Sequence, residues 1–359
     1  MVRILGGNEL RDARIGALLS WILLGGGILM GARYTEFPQL WYGAFLAALL
    51  FPHSVESAAL VLTEGPALLF AVLGSVLWVE FVSRTNVASR DLFLGFTGGL
   101  ALGLAVTCRQ YFLALLPAAL LLAICKASGR KLRENWRWYV SVFLSLAAAA
   151  LPVLLLVFIW KGLSSPGMAT GASYQNWKAN VGLAFGRPLI AALYTAVYLL
   201  PLTAPAAFRF KHAWRWRVIL ALCGGTLAGF FDNSILQPGP LHTAVHFIAH
   251  GTFTRSLVVG MIATAAIYGA SAAVVLLWKN RGILLKKPPI LFAVLVVAFF
   301  VAEQVGVGGN IPFYDRYLLQ IAPFLGLIAF AAFPRMTGAR VSVLAVLVLV
   351  SQIMLWRFA

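Results

Sequence analysis

At 359 residues, 61% hydrophobic and only 11% charged, the chain carries far more apolar material than a soluble domain of its size. Its 28 Lys and Arg against 11 Asp and Glu leave a formal charge of +17. A soluble enzyme, a disordered chain and a disulfide scaffold are excluded; Cys108, Cys125 and Cys223 form no CxxC pair and imply neither a disulfide framework nor a zinc site.

A helix crosses a bilayer with about 20 apolar residues. Twelve apolar segments follow one another near 13–32, 39–52, 64–84, 92–107, 110–126, 139–161, 186–204, 218–236, 256–278, 289–306, 317–333 and 341–357. The second is short and ends at Pro52, as a half-inserted or tilted helix would. No period-two alternation runs through them, and they are too long for barrel strands. The expected fold class is therefore all-α: a polytopic membrane protein forming a single transmembrane domain over 1–359, with outer loops near 162–187 and 232–255.

The basic residues sit in the connectors, as orientation in a membrane requires. With Arg130, Lys131, Arg133 and Arg137 placed inside, the same side receives Arg33, Arg84, Arg90, Arg209, Lys211, Arg215, Arg217, Lys279, Arg281, Lys286, Lys287, Arg335 and Arg340. These cations suit anionic headgroups, so membrane lipids are expected partners. No basic stripe with interleaved aromatics lies outside the apolar segments, so nucleic acid is not. Both termini then fall outside, although MVRILGGNELRDAR has no apolar signal core.

With this topology the polar chemistry collects on the outer side. The loop after Pro52 carries His53, Glu56, Thr63 and Glu64; Arg109 and Gln110 interrupt LALGLAVTCRQYFLALLPAALLL; loop 162–187 carries Tyr174, Gln175, Asn176, Trp177 and Lys178; and GGNIPFYDRYLL carries Tyr314, Asp315, Arg316 and Tyr317. An ionisable group at the membrane edge is costly and marks a functional candidate. Each also has a plain structural reading. Glu64 can sit in a helix first turn behind a Thr63 cap. Arg109 can snorkel to headgroups. Asp315 and Arg316 can form a screened local pair.

His242, His246 and His250 in HTAVHFIAH fall on one helical stripe. The first and third would be about 12 Å apart, too far for one ion. An amphipathic helix at the interface is the expectation, with no metal site. A divalent cofactor finds no support in the sequence. Glu303, near the outer end of its segment, can pair with Arg316 or another outer Arg. The glycines at 25–27, 98–99 and 224–225 suit close helix packing and are not phosphate loops.

Four strings together resemble the GT-C superfamily of polyprenyl-phosphate-sugar-dependent membrane glycosyltransferases, including protein O-mannosyltransferase-like and aminoarabinose-transferase-like enzymes. They are RDARIGALLSWILLGGGILMGAR, AALLFPHSVESAALVLTEGPALLF, GLAVTCRQYFLALLPAALLL and YDRYLLQIAPFLGL. The resemblance implies a GT-C-like fold, a polyprenyl-phosphate-sugar donor, transfer on the outer face and a site in the bacterial inner (plasma) membrane. On it, Arg316 matches the Arg of a late Arg-Tyr-Leu string, Glu64 the acid of a Thr-Asp/Glu string, and Arg109 the Arg of a helix-pair turn. Tyr314 and Tyr317 would flank the phosphate. Gln110, Tyr174, Trp177 and Asp315 are the sugar and acceptor candidates, and Glu56 is a second candidate base.

The chain departs from the pattern in one respect. The family's acidic loop after its first membrane helix has no counterpart, and the first apolar segment aligns with the family's second helix. The expectation is a truncated or split enzyme, with a partner chain or upstream segment supplying the missing part. Two other classes compete. One is an inactive remnant or membrane scaffold. The other is a lipid or small-solute transporter, against which stands the lack of an internal repeat or midplane polar cluster.

Overall fold

The computed structural model describes residues 64–84, 89–128, 130–131, 133–161, 181–209, 212–231, 240–307 and 315–332, with twelve scattered helix and turn residues between 15 and 51. Among the described residues the chain is all-α. The helices are α1 (Glu64–Ser83), α2 (Ser89–Cys108), α3 (Leu115–Ala127), α4 (Trp136–Trp160), α5 (Val181–Arg209), α6 (Trp214–Phe230), α7 (Pro240–Ile248), α8 (Thr252–Lys279), α9 (Arg281–Leu284), α10 (Pro288–Val307) and α11 (Ala322–Ala332). Short 3₁₀ turns, Gln110–Ala114 and Asp315–Gln320, lead into α3 and α11.

Six stretches of the described residues are long and apolar enough to cross a bilayer: Glu64–Ser83, Asp91–Cys108, Gln110–Ala127, Trp136–Trp160, Thr252–Lys279 and Pro288–Val305. The chain is a multi-pass, membrane-embedded helical protein. The apolar segments between 64 and 333 are helical with shifted limits, whereas those at 13–32 and 39–52 are described only at scattered residues. The segment at 186–204 is the middle of the longer α5, and that at 218–236 becomes the shorter α6. The segments near 110–126 and 317–333 each open as a 3₁₀ turn. The last segment, 341–357, lies outside the described residues.

Burial separates central from peripheral helices. α1 is 67% buried along its apolar window and α4 only 28%. Trp78, Trp138, Phe292 and Phe324 are fully enclosed, whereas Phe143 and Phe158 stand out from α4. Outward aromatic and aliphatic side chains in such number are tolerable only against lipid.

Glycine sets the closest approaches. On α2, a Cβ at Gly99 would meet the backbone carbonyl of Ser145, and one at Gly103 that of Ala149, both on α4. On α6, a Cβ at Gly225 would run into the Thr264 hydroxyl, and one at Gly229 would lie 2.7 Å from the Ser256 carbonyl, both on α8. Small residues at these crossings let backbones touch where lipid provides no hydrophobic drive. The pairs at 98–99 and 224–225 thus do what the sequence suggested. Among the described residues Gly26 has no neighbour within 4 Å.

The helices run up and down, so the bundle has two ends. One gathers Arg84, Arg130, Lys131, Arg215, Lys279 and Arg281, and is called the basic end below. The other gathers the start of α1, the α2–α3 junction, the start of α5, the end of α10 and the 3₁₀ turn before α11.

One basic-end assignment changes. Arg217 reads in sequence as a headgroup anchor, but it is 2% exposed. Its Nε donates to Ser271 Oγ at 3.1 Å, and one terminal nitrogen donates to the carbonyls of Ala207 (3.3 Å) and Tyr268 (3.1 Å). Its guanidinium also lies 4.2 Å from the Tyr268 ring centroid. Arg217 ties α6 to α5 and α8, which compensates a charge that lipid would not tolerate.

Candidate functional site

The end opposite the basic one begins with a break in a helix. α2 stops at Cys108 because Arg109 turns extended, with φ −150° and ψ 117°. Its N–H still donates to Ala105 (3.0 Å), while its carbonyl accepts from Phe112 (3.0 Å) to start the next turn. The break thus costs few backbone hydrogen bonds and lets a guanidinium project at the membrane edge.

Arg109 meets Glu64. One guanidinium nitrogen lies 2.7 Å from Glu64 Oε1, and the two side chains are 30% and 11% exposed. Glu64 opens α1, where the positive end of the helix dipole also favours a carboxylate. The other carboxylate oxygen, Oε2, and Arg109 Nε are buried without a hydrogen-bond partner among the described residues. Unsatisfied groups of this kind are unusual in a folded interior and call for a reason.

A second contact joins the same turn to the late 3₁₀ segment. The Tyr111 and Tyr317 hydroxyls lie 3.3 Å apart, with ring centroids at 4.5 Å. Tyr317 is buried. Across it stands Arg187 near the start of α5, its guanidinium 5.9 Å from the Tyr317 ring and its Nε donating to Gln304 Oε1 at 3.0 Å. Glu303 precedes Gln304 on α10, and its Oε2 is also buried without a hydrogen-bond partner among the described residues, as are both amide atoms of Gln320.

The structure therefore brings together Glu64, Arg109 and, through Tyr111, Tyr317. Gln110 lies in the same turn, half-buried. Asp315 and Arg316 belong by backbone to the 3₁₀ turn at this end, on the same side of the bundle as Glu64. The side chains of Asp315 and Arg316, and the residues Glu56, Tyr174, Trp177 and Tyr314, lie outside the described residues.

Arg187 and Gln304 were not singled out in sequence. The signal was present: GLAFGRPLIAALY places an Arg inside an apolar run, as at Arg109. Chemically, the cluster offers guanidinium groups with a planar donor fork, two phenols and two carboxylates at a water–lipid boundary. That set suits an anionic, oxygen-rich ligand.

Beside this end, His242 and His246 lie on the short helix α7, and His250 lies just beyond its end. The His242 and His246 rings lie 4.2 Å apart. Burial, then the neighbouring His246 and Arg255, hold His242 below the usual histidine range. No group of three or more His, Cys, Asp or Glu side chains suited to a metal occurs among the described residues. No family model, curated protein or solved structure is significantly similar to this chain.

Proposed function

We propose that this end of the bundle binds the phosphate of a polyprenyl-phosphate sugar, and that the chain is a membrane glycosyltransferase of GT-C type, alone or with a partner chain. The observation that carries the reading is the meeting of Glu64 with Arg109, and of Tyr111 with Tyr317, from segments far apart in sequence. Packing alone gives little reason to assemble ionisable and phenolic groups at a membrane edge.

In the proposed step the acceptor oxygen attacks the anomeric carbon, the bond from that carbon to the phosphate oxygen breaks, and the acceptor proton passes to a carboxylate. The leaving phosphate keeps the electron pair, and guanidinium groups stabilise its growing charge. Glu64 is the carboxylate of choice. In the ligand-free pair it neutralises Arg109; an entering phosphate would take Arg109 over and release Glu64 to act as base. Arg316 would hold the same phosphate from the late 3₁₀ turn, and Gln110 and Asp315 would face sugar or acceptor. Transfer on the outer face of a bacterial inner membrane belongs to the same reading.

The Glu64–Arg109 pair also favours one other reading, a lock between α1 and the α2–α3 junction in a non-catalytic scaffold. Transfer of labelled sugar from polyprenyl-phosphate donors in proteoliposomes separates the two. Enzyme chemistry requires turnover by the wild type and losses on the order of 100-fold or more in Glu64→Gln and Arg316→Ala. No turnover with any donor, or full turnover in both variants, would leave the scaffold.

A further inference from the structure

The face of α6 and α8 turned away from the bundle carries an open groove of about 930 Å³. Its floor is Gly225, Gly229 and Gly260, where the two backbones meet. Its walls are apolar, and Leu222, Leu257 and Met261 stand half or more exposed along them. From Val218 to Phe230 the groove follows thirteen residues of α6, about 18 Å of helix. That is longer than half of a hydrocarbon core about 30 Å thick, so one acyl chain fits along it.

The two mouths of the groove differ in charge. At one, Phe230 and Phe253 are each 80% exposed. Arg255, nearby on α8, acts on His242 of α7. At the other mouth Arg215 lies three and seven residues before Val218 and Leu222, on the same face of α6. Eleven residues beyond Tyr268, Lys279 ends α8, and Arg281 opens α9 with its guanidinium 4.4 Å from the Trp278 ring and hydrogen-bonded to the Trp278 carbonyl.

No Asp or Glu occurs anywhere in 135–231 or 233–302. These cations therefore have no carboxylate on their own helices. Elsewhere at the same end two cations do meet carboxylates: Arg84 bonds Asp91 and Glu80, and Lys131 lies 3.3 Å from Glu134.

From this we infer that the α6–α8 groove is a binding site for an anionic phospholipid, with one acyl chain along the glycine floor and the phosphate at Arg215. Anionic headgroups are the negative charge that unmatched cations meet at a membrane surface, and a guanidinium fork suits a phosphate. The site is independent of the transferase reading: it lies on another face and needs no turnover.

The test uses the full chain purified in neutral detergent. Native mass spectrometry counts bound phosphatidylglycerol against phosphatidylcholine of the same chains. Two variants each remove one feature, Arg215→Gln for the phosphate and Ala265→Trp for the groove, on an exposed position of α8. The site predicts phosphatidylglycerol bound about tenfold over phosphatidylcholine, a difference worth one charge-assisted contact. Arg215→Gln should erase the preference, and Ala265→Trp should displace both lipids, at unchanged helical content by circular dichroism. Equal binding of the two lipids by wild type, unchanged binding in either folded variant, or displacement of phosphatidylglycerol by one equivalent of polyprenyl phosphate would overturn it. Should Ala265→Trp fail to fold, Thr226→Leu on the facing helix plugs the same groove and is judged by the same counts.

Discussion

The α2–α4 and α6–α8 pairs are built alike and finished differently. Both close on glycine, at Gly99 and Gly103 in the first and at Gly225 and Gly229 in the second. The first pair joins the central core beside α1, and near its basic end Arg84 and Lys131 pair with Asp91, Glu80 and Glu134. The second leaves an apolar groove open and its basic-end cations Arg215 and Lys279 without acidic residues on their own helices. Glycine contact alone therefore does not say what a helix face is for. The carboxylates beside Arg84 and Lys131, absent from α6 and α8, are the second feature that distinguishes the two pairs.

The largest effects should come from the shared feature. Gly99→Leu and Gly225→Leu each drive a side chain into a facing helix and should cost about 3 kcal/mol or more, read as a large fall in Tm in detergent. Gly26→Leu, in open space among the described residues, should stay within about 0.5 kcal/mol. Equal losses at all three positions would remove the packing argument.

Next comes the difference in charge burial. Arg217→Leu removes a buried donor shared by Ser271 Oγ and the carbonyls of Ala207 and Tyr268, a loss of about 2 kcal/mol. Asp91→Asn, which weakens an ion pair whose Arg84 is about a third exposed, should cost about 1 kcal/mol or less. A reversed order in thermal denaturation would contradict the distinction. Of similar size is the coupling between Glu64 and Arg109. A double-mutant cycle should give about 1–2 kcal/mol for this partly buried pair, against about 0.3 kcal/mol for the exposed Lys131–Glu134 pair.

The smallest effect concerns pH. His242 sits below the usual value of 6.5, so the unfolded segment takes up a proton first as pH falls. The docking of α7 therefore keeps its full stability above about pH 6.5 and weakens as pH drops from there toward the folded value. Hydrogen exchange of α7 amides should be faster at pH 5 than at pH 7.5, beyond the intrinsic rates, and His242→Phe should remove that excess.

Helix existence and the special status of Glu64 and Arg109 were legible in the sequence, because apolar length and a charge within an apolar run are local signals. Their pairing was not, since 2.7 Å between two side chains depends on how α1 packs against the α2–α3 junction. Helix limits slipped where polar residues continue a helix beyond its apolar part, as in α5, whose Arg209 end reads as a connector. Arg217 was misread because position in a connector does not reveal that three acceptors await it on α5 and α8. Arg187 shows the opposite failure: its local signal equals that of Arg109, yet its partner Gln304 lies 117 residues away.

The central claim is that Glu64 restrains Arg109 until a lipid phosphate replaces it. Equilibrium binding of polyprenyl phosphate to the wild type, Glu64→Gln and Arg109→Ala tests this most directly. Freed from its carboxylate, Arg109 should bind the phosphate up to about tenfold more tightly in Glu64→Gln, and Arg109→Ala should bind about tenfold more weakly than wild type. Equal weakening in both variants would mean that the pair merely holds α1 to its neighbour, and the account would fail.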